Sequence, residues 1–361
     1  MSVKRIGDTL LAPILALIIA LIVTSAILLA FGADIAEVFG AMWSYGTRPN
    51  SIVLILNLAT AYYLSAVAVA IGFKMNLFNI GVNGQYLLGA MVAAAVAGQL
   101  SLPGIISLPI TILVAMLVGA GWAGIAAWLK VSRGVSEVIS TIMLNFIALG
   151  IISYTIIRTG IGKDIAVNVR GTKLIPESGW MPGFKIPGAA NEVYGFTLVA
   201  VAIGVGYWFL LNRTTFGFDL RASGMSPSAA SASGVNSRRM TVYTMLISGA
   251  IAGLVALPDL LGDSHTYTLN FPSGFGFTGI AIALIGRNNP IGIAFGALLW
   301  GFLDTTSAQL DLIGVPQEIV TILQGVTVLA VVIAYEIARR NKIREQQQEV
   351  GRALTEKSNI L

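Results

Sequence analysis

The chain has 361 residues, of which 56% are hydrophobic and only 11% charged, with a formal net charge of +5 and a mean hydropathy of +0.82. Soluble domains carry about 25% charged residues, so this composition excludes an ordinary water-soluble fold and points to lipid. With no cysteine and a single histidine, His265, disulfides, thiol catalysis, thiolate metal sites and multi-histidine metal centres are excluded as well.

A spanning helix needs roughly 20 mostly apolar residues. Ten such segments are read in chain order: 10–31, 51–72, 79–98, 105–129, 136–157, 194–211, 240–258, 274–286, 290–305 and 316–338. The eighth and ninth are short and could form a broken or re-entrant pair. The first run, Leu10 to Phe31, is too long for a cleavable leader, and no leader is expected. The fold class is therefore an all-α polytopic membrane protein of about ten helices. It is expected to form one transmembrane domain over 1–361, with a first half 10–157, an outside loop 158–193, a second half 194–338 and a tail 339–361.

Basic residues fix the expected orientation. Placing both termini in the cytoplasm gathers 16 of the 22 Lys and Arg residues inside, among them Lys74, Arg133, Arg221 and Arg239, and leaves 6 outside. The basic balance is thus read as topology, with no nucleic-acid partner. Loop 158–193, with Pro176, Pro182 and Pro187, reads as an irregular external cap. The tail from Arg339 onward is expected to extend the last helix briefly and then fray.

Ten spans divide into five and five, and an odd number per half inverts the second half. Transporters built as inverted repeats place interrupted helices at matching positions beside the solute path. A matched pair is present: Asn76 to Gln85 opening the third segment, and Leu269 to Gly279 opening the eighth. Backbone that is not helical at membrane depth faces protein or a water-filled cavity. Candidate path residues are Asn76, Asn79, Asn83 and Gln85 in the first, Asn270, Ser273 and Thr278 in the second, and Asn145 in the fifth segment. The competing reading makes both stretches plain interhelical loops.

The inside segment 212–239 holds a short helix of Ser and Ala. Ser226 is its N-cap, Pro227 its first residue and Gly234 its C-cap. Small residues such as Ala229 and Ala230 allow close docking of a soluble partner, with a plain connecting loop as the alternative. Several other motifs are set aside. Gly274 to Gly279 is a literal GxGxxG without the strand that a dinucleotide site needs. Gly160 to Lys163 lacks the first glycine and the Ser/Thr of a phosphate loop. The small-residue patterns Gly249/Gly253 and Gly292/Gly296 are read as packing within the chain. His265 is read as a solvated loop residue. Asp259 and Asp304 are read near span ends, where solvation explains them, and Glu137 as a helix-start residue with a structural role.

The runs FNIGVNGQYLLGA (78–90), SEVISTIMLNFIALG (136–150), TTFGFDLRASGMSPSAASASGV (214–235) and GFGFTGIAIALIGRNNPIGI (274–293) resemble the permease subunits of bacterial ABC importers for nucleosides. These fall within the wider group of branched-chain amino acid and simple-sugar permeases. The resemblance covers about residues 51–338. It implies a type II importer fold, pairing with a second permease of the same or a related chain, a cytoplasmic ATPase subunit and an extracytoplasmic solute-binding protein. It implies that the chain binds no cofactor, performs no covalent chemistry and lies in the bacterial plasma membrane. The segment containing Arg221, Ser226, Pro227, Ala229, Ala230 and Gly234 would be the coupling loop to the ATPase. Similar permeases often carry an acidic residue where this chain has Asn83, so a possible charge is missing from the path. The alternatives are a sugar permease and an ion-coupled secondary transporter, the latter disfavoured because no acid is read in mid-span.

Overall fold

The computed structural model describes residues 18, 19, 21–167, 169–316 and 318–358; the start of the first apolar run, 10–17, lies outside them. Two compact units are present: Met1–Tyr45 with Thr306–Leu361, and Gly46–Thr305.

In the first unit, α1 (Leu21–Ala30) and α2 (Ile35–Gly46) meet at a sharp bend of 117°. Gly32 makes the turn at φ +75°, a conformation that suits a residue without a Cβ. Asp34 then caps α2, its Oδ1 accepting the Ala36 and Glu37 amides at 2.8 and 3.2 Å. The sequence reading had no helix at α2. The unit also holds α14 (Glu318–Ser358), which continues 41 residues without a break. The expected fraying after Arg339 is thus corrected. The tail is rich in Arg, Glu and Gln, which favour helix in water, and Arg340 pairs with Glu336 at 2.8 Å across one turn.

The second unit contains α3 (Pro49–Lys74), α4 (Val82–Ala97), α5 (Gly104–Arg133), α6 (Glu137–Arg158), α7 (Phe196–Arg213), α8 (Thr215–Met225), α9 (Pro227–Ala232), α10 (Ser237–Ala252), α11 (Leu257–Asp259), α12 (Phe275–Ile285) and, as far as Thr305, α13 (Pro290–Leu310). Among the described residues, six helical stretches are long and apolar enough to cross a membrane, or seven if the α1–α2 pair counts as one. Val82–Ala97, Phe275–Ile285 and Glu318–Ala334 are shorter apolar helices. The third and eighth apolar segments therefore hold helices shorter than the six long ones, each preceded by a non-helical stretch.

Burial separates centre from edge. The apolar window of α3 is 67% buried and that of Ser237–Ser264 is 72%, against 22% for α5 and 28% for α7. A helix apolar on all sides is either core or lipid-facing; α3 and α10 are core, while α5 and α7 turn long apolar faces outward.

The α5–α10 contact explains the small-residue pattern. A Cβ on Gly119 would meet the backbone of Gly249 and Gly253, and one on Gly249 would meet Ala123. Backbone approach this close needs glycine, so Gly249 and Gly253 serve packing within the chain. Gly292 likewise lies against the backbone of Gly286.

Loop 158–193 is more ordered than its proline content suggests. It forms two small antiparallel sheets, β1 (Lys163–Ala166) with β2 (Val169–Gly171), and β3 (Phe184–Lys185) with β4 (Glu192–Val193). Its backbone is tied to the stretch after α11: Thr172 N to Tyr267 O at 2.9 Å, Ile175 N to His265 O at 2.9 Å and Met181 N to Leu261 O at 2.9 Å.

Candidate functional site

The two interrupted segments meet inside the second unit. After α3 the chain turns at Asn76, with φ +57°, and Leu77 N returns to Gly72 O at 3.0 Å. Residues 78–81 then lead to the start of α4, with Asn79 and Gly81 buried and Phe78 exposed. The other segment follows a π-helical turn at Leu260–Ser264 and leads into α12 at Phe275.

Their junction is made by Asn83 and Tyr86. Asn83 Oδ1 accepts the Gly274 amide at 2.9 Å. The Tyr86 hydroxyl lies 3.1 Å from both Asn83 Oδ1 and Pro272 O. Gly276 packs directly on Asn83, where a Cβ would sit 2.5 Å from its amide nitrogen. Ser65 on α3 anchors the same point by donating to Phe275 O at 2.7 Å. From here the two short helices diverge. α4 leads to Gly98, which lies against Lys173 of loop 158–193. α12 leads to the Gly286–Asn289 turn, where Tyr207 donates to Asn288 O at 2.8 Å.

A second layer holds the 78–85 run. Asn79 and Gln85 form a reciprocal amide pair, each contact 2.9 Å. Asn79 also donates to Ser248 Oγ at 2.9 Å and accepts the Gly81 amide at 3.1 Å. Ser248 in turn donates to Ala68 O at 2.6 Å. From α6, Asn145 accepts the Gly84 amide at 2.8 Å and donates to Ile80 O at 2.9 Å. At the first residue of α6, Glu137 accepts the Phe78 amide at 3.4 Å and pairs with Lys130.

The predicted path residues therefore divide. Asn79, Asn83, Gln85 and Asn145 come together, buried and hydrogen-bonded to the protein. Asn76, Asn270 and Ser273 are exposed and Thr278 is half-buried. The four buried amides act first as clamps: an amide placed at membrane depth is stable only when satisfied. Sequence reading missed Ser65, Tyr86 and Ser248, whose signal was a polar atom inside an apolar helix.

Asp304 is also corrected. The ninth segment does not end at 305; α13 runs on to Leu310, within a span Pro290–Ile313. Asp304 thus lies inside the span, and the Tyr62 hydroxyl donates to its Oδ2. Tyr62 stands at the middle of α3 and packs edge-on against Phe275, ring centres 5.2 Å apart. An acid is present in mid-span after all.

His265 is not a solvated residue. It is half-buried and stacked on Trp180 at 3.8 Å, with Nδ1 buried and without a hydrogen-bond partner. Burial holds its pKa below the ordinary 6.5, with Asp263 opposing the shift.

On the Arg221 side, α8 is a helix where the sequence reading had a loop. Ser226 caps α9 by accepting the Ala229 amide at 3.3 Å, and Pro227 is its first residue. Gly234, at φ +89°, follows the C-cap residue Ser233, and Val235 N reaches back to Ala230 O at 3.0 Å. Ala229 is exposed, but Ala230 is buried and faces the chain's own body. Arg221 donates to Leu211 O. Phe218 and Met225 stand exposed on α8, 64% and 89% accessible.

A separate cleft of about 580 Å³ lies between α3, α7 and α13, lined by residues such as Thr60, Tyr63, Trp208 and Phe295. It is almost wholly apolar and offers little to a polar solute.

The family described as branched-chain amino acid transport system / permease component matches residues 51–332. The chain belongs to this permease family. It is similar to the guanosine ABC transporter permease protein NupP of Bacillus subtilis, 34% identical over 93% of this chain and 96% of the relative. It is also similar to the glucose ABC transporter permease protein TsgB13 of Haloferax volcanii, 31% identical over 92% and 89%. The nucleoside ABC transporter permease protein NupB of Lactococcus lactis is 30% identical over 91% and 92%. No solved structure matches the chain. As a member of this family the protein is an integral membrane permease component.

Proposed function

We propose that this permease is the membrane-spanning half of an ATP-driven nucleoside importer that works by alternating access. The observation that carries the reading is the junction at Asn83, where two short helices start together and run apart. Helix starts concentrate unpaired amides and a positive dipole, and transporters place such paired breaks at the solute site. The end-to-end likeness to guanosine and nucleoside permeases supports nucleosides as cargo. The likeness to a glucose permease supports simple sugars as the second reading.

In this proposal the ten apolar segments form an inverted five-plus-five, type II importer-like domain, with halves 10–157 and 194–338. Asn76, Asn79, Asn83, Gln85, Asn145, Asn270, Ser273 and Thr278 surround the path, the buried amides fixing its walls. Both termini lie in the cytoplasm of a bacterial cell, by the distribution of Lys and Arg. A second permease completes the path, and an extracytoplasmic binding protein delivers solute. ATP is hydrolysed on a separate cytoplasmic subunit that docks on α8–α9. The capped α9, the exposed Ala229 and the exposed apolar Phe218 and Met225 beside it support that docking role, since exposed apolar groups mark interaction surfaces.

The test is uptake of labelled guanosine in cells whose transport depends on this permease. The expected result is uptake that fails when ATP is depleted and survives collapse of the ion gradients. Uptake that follows the ion gradient, at normal ATP, would overturn the ATP-driven reading.

A further inference from the structure

Intramembrane acids are expensive to bury, so one retained inside a span marks a functional site by default. Asp304 is such an acid. It lies inside the Pro290–Ile313 span, with eight residues between it and the last of them. Its carboxylate oxygen Oδ2 accepts from Tyr62, at the middle of α3 with about 18–20 Å of helix on either side. Side chains on a helix lean toward its N-terminus. Gly301 lies against Ile55 and Ala59 of α3, so Tyr62 and Asp304 lean toward each other across that contact.

The pair is wired to the junction. Tyr62 packs on Phe275, the first residue of α12. Phe275 faces Tyr86 at 6.0 Å, and the Tyr86 hydroxyl touches Asn83. A carboxylate, three aromatic rings and an amide thus form one continuous line from the interior of α13 to the starts of α4 and α12. Asp304 and Phe275 are both half-buried, neither sealed in the core.

We infer that Asp304, oriented by Tyr62, is the hydrogen-bond acceptor for the hydroxyl groups of a hydroxylated sugar ring as the solute passes the α4–α12 junction. A carboxylate is an acceptor with several lone-pair sites, and charge-assisted bonds to it are about twice as strong as neutral ones. The solutes named for the relatives, guanosine and glucose, both carry such a ring. The adjacent half-buried ring of Phe275 offers an apolar face to the rest of the solute, with Tyr86 packed behind it. Tyr62 is a positioning residue: it holds the carboxylate in place. The assignment rests on the nucleoside reading for the choice of ring.

The experiment uses the whole transporter in its native host, with the permease gene exchanged for each variant and membrane abundance measured alongside. Guanosine and 2′,3′-dideoxyguanosine are compared as labelled solutes. A site built to bond hydroxyls rejects an analogue lacking them, so the wild type should favour guanosine by at least about tenfold. Asp304→Asn should reduce guanosine uptake about 10- to 100-fold, the scale of a lost charged hydrogen bond, and should narrow the preference toward unity. Tyr62→Phe should weaken the preference less, and Asp304→Glu should restore part of it. Equal uptake of the two solutes by the wild type would overturn the inference. So would an Asp304→Asn variant of normal abundance with unchanged preference. If that variant fails to reach the membrane, the wild-type ratio and Tyr62→Phe decide. A wild type that imports no nucleoside sinks the nucleoside reading instead, and the Asp304 assignment is then judged on glucose against 2-deoxyglucose.

Discussion

The α4–α12 junction and the α8–α9 segment are built from similar small and polar residues, yet their polar groups end in opposite situations. At the junction, Asn79, Gln85, Asn83 and Asn145 spend their amides on one another and on backbone. At α8–α9 the capping is local, through Ser226 and Gly234, and the outer face stays open with Ala229, Phe218 and Met225 exposed. Inside, where an unmet polar group costs about 1–3 kcal/mol, polarity fixes a shape. Outside, where water is available, the same residues leave a surface for a partner. The first region should therefore fail by unfolding, and the second by losing its partner.

The strongest way to break the comparison is Gly276→Leu. Its side chain would enter the backbone of Asn83, and overpacking of this kind destabilises by about 3 kcal/mol or more. The expected outcome is little monodisperse protein after detergent extraction, read by size-exclusion chromatography. Next comes Asn79→Ala, which strips partners from Gln85, Ser248 and the Gly81 amide. A loss of about 2–3 kcal/mol is expected, seen as a lower midpoint of thermal unfolding. Adding Gln85→Ala should cost less than the sum of the single changes, because the two amides share one interaction.

The outer region should behave differently. Ala229→Glu should leave yield and thermal stability near wild type while the ATPase subunit no longer co-purifies. Ala230→Glu, one residue on, places a charge at a buried position and should instead destabilise the chain itself. Both variants are read by pull-down and thermal unfolding in parallel.

The smallest effect concerns His265. Burial favours its neutral form in the fold, so the unfolded chain binds the proton more readily. Stability is then highest above the ordinary pKa of 6.5 and falls as pH drops through that value toward the lowered folded pKa. His265→Gln should flatten that slope in thermal unfolding between pH 7.5 and 5.

Much of the fold was legible because hydropathy marks apolar helices wherever they occur. The cap at Ser226–Pro227 and the glycine turn at Gly234 were legible for a different reason: both are local chemistry. What hydropathy could not supply is where a helix stops. The polar run Asp304-Thr305-Thr306-Ser307 ended the apolar window, but backbone hydrogen bonding carries α13 past it to Leu310. The same limit hid α2 and the polar length of α14. The small sheets of loop 158–193 depend on pairing partners, and those partners cannot be read from a proline-rich stretch alone. For the site, the matched segments pointed to the junction, but which amides close on each other depended on the α6 and α10 partners Asn145 and Ser248.

The most direct test of the junction as the solute path uses the absence of cysteine from this chain. Ser273, exposed beside the start of α12, is replaced by Cys, and the assembled transporter is treated from outside with a membrane-impermeant thiol reagent. The account predicts that labelling blocks guanosine uptake and that excess guanosine slows the labelling. Complete labelling of Ser273→Cys with uptake unchanged would contradict it.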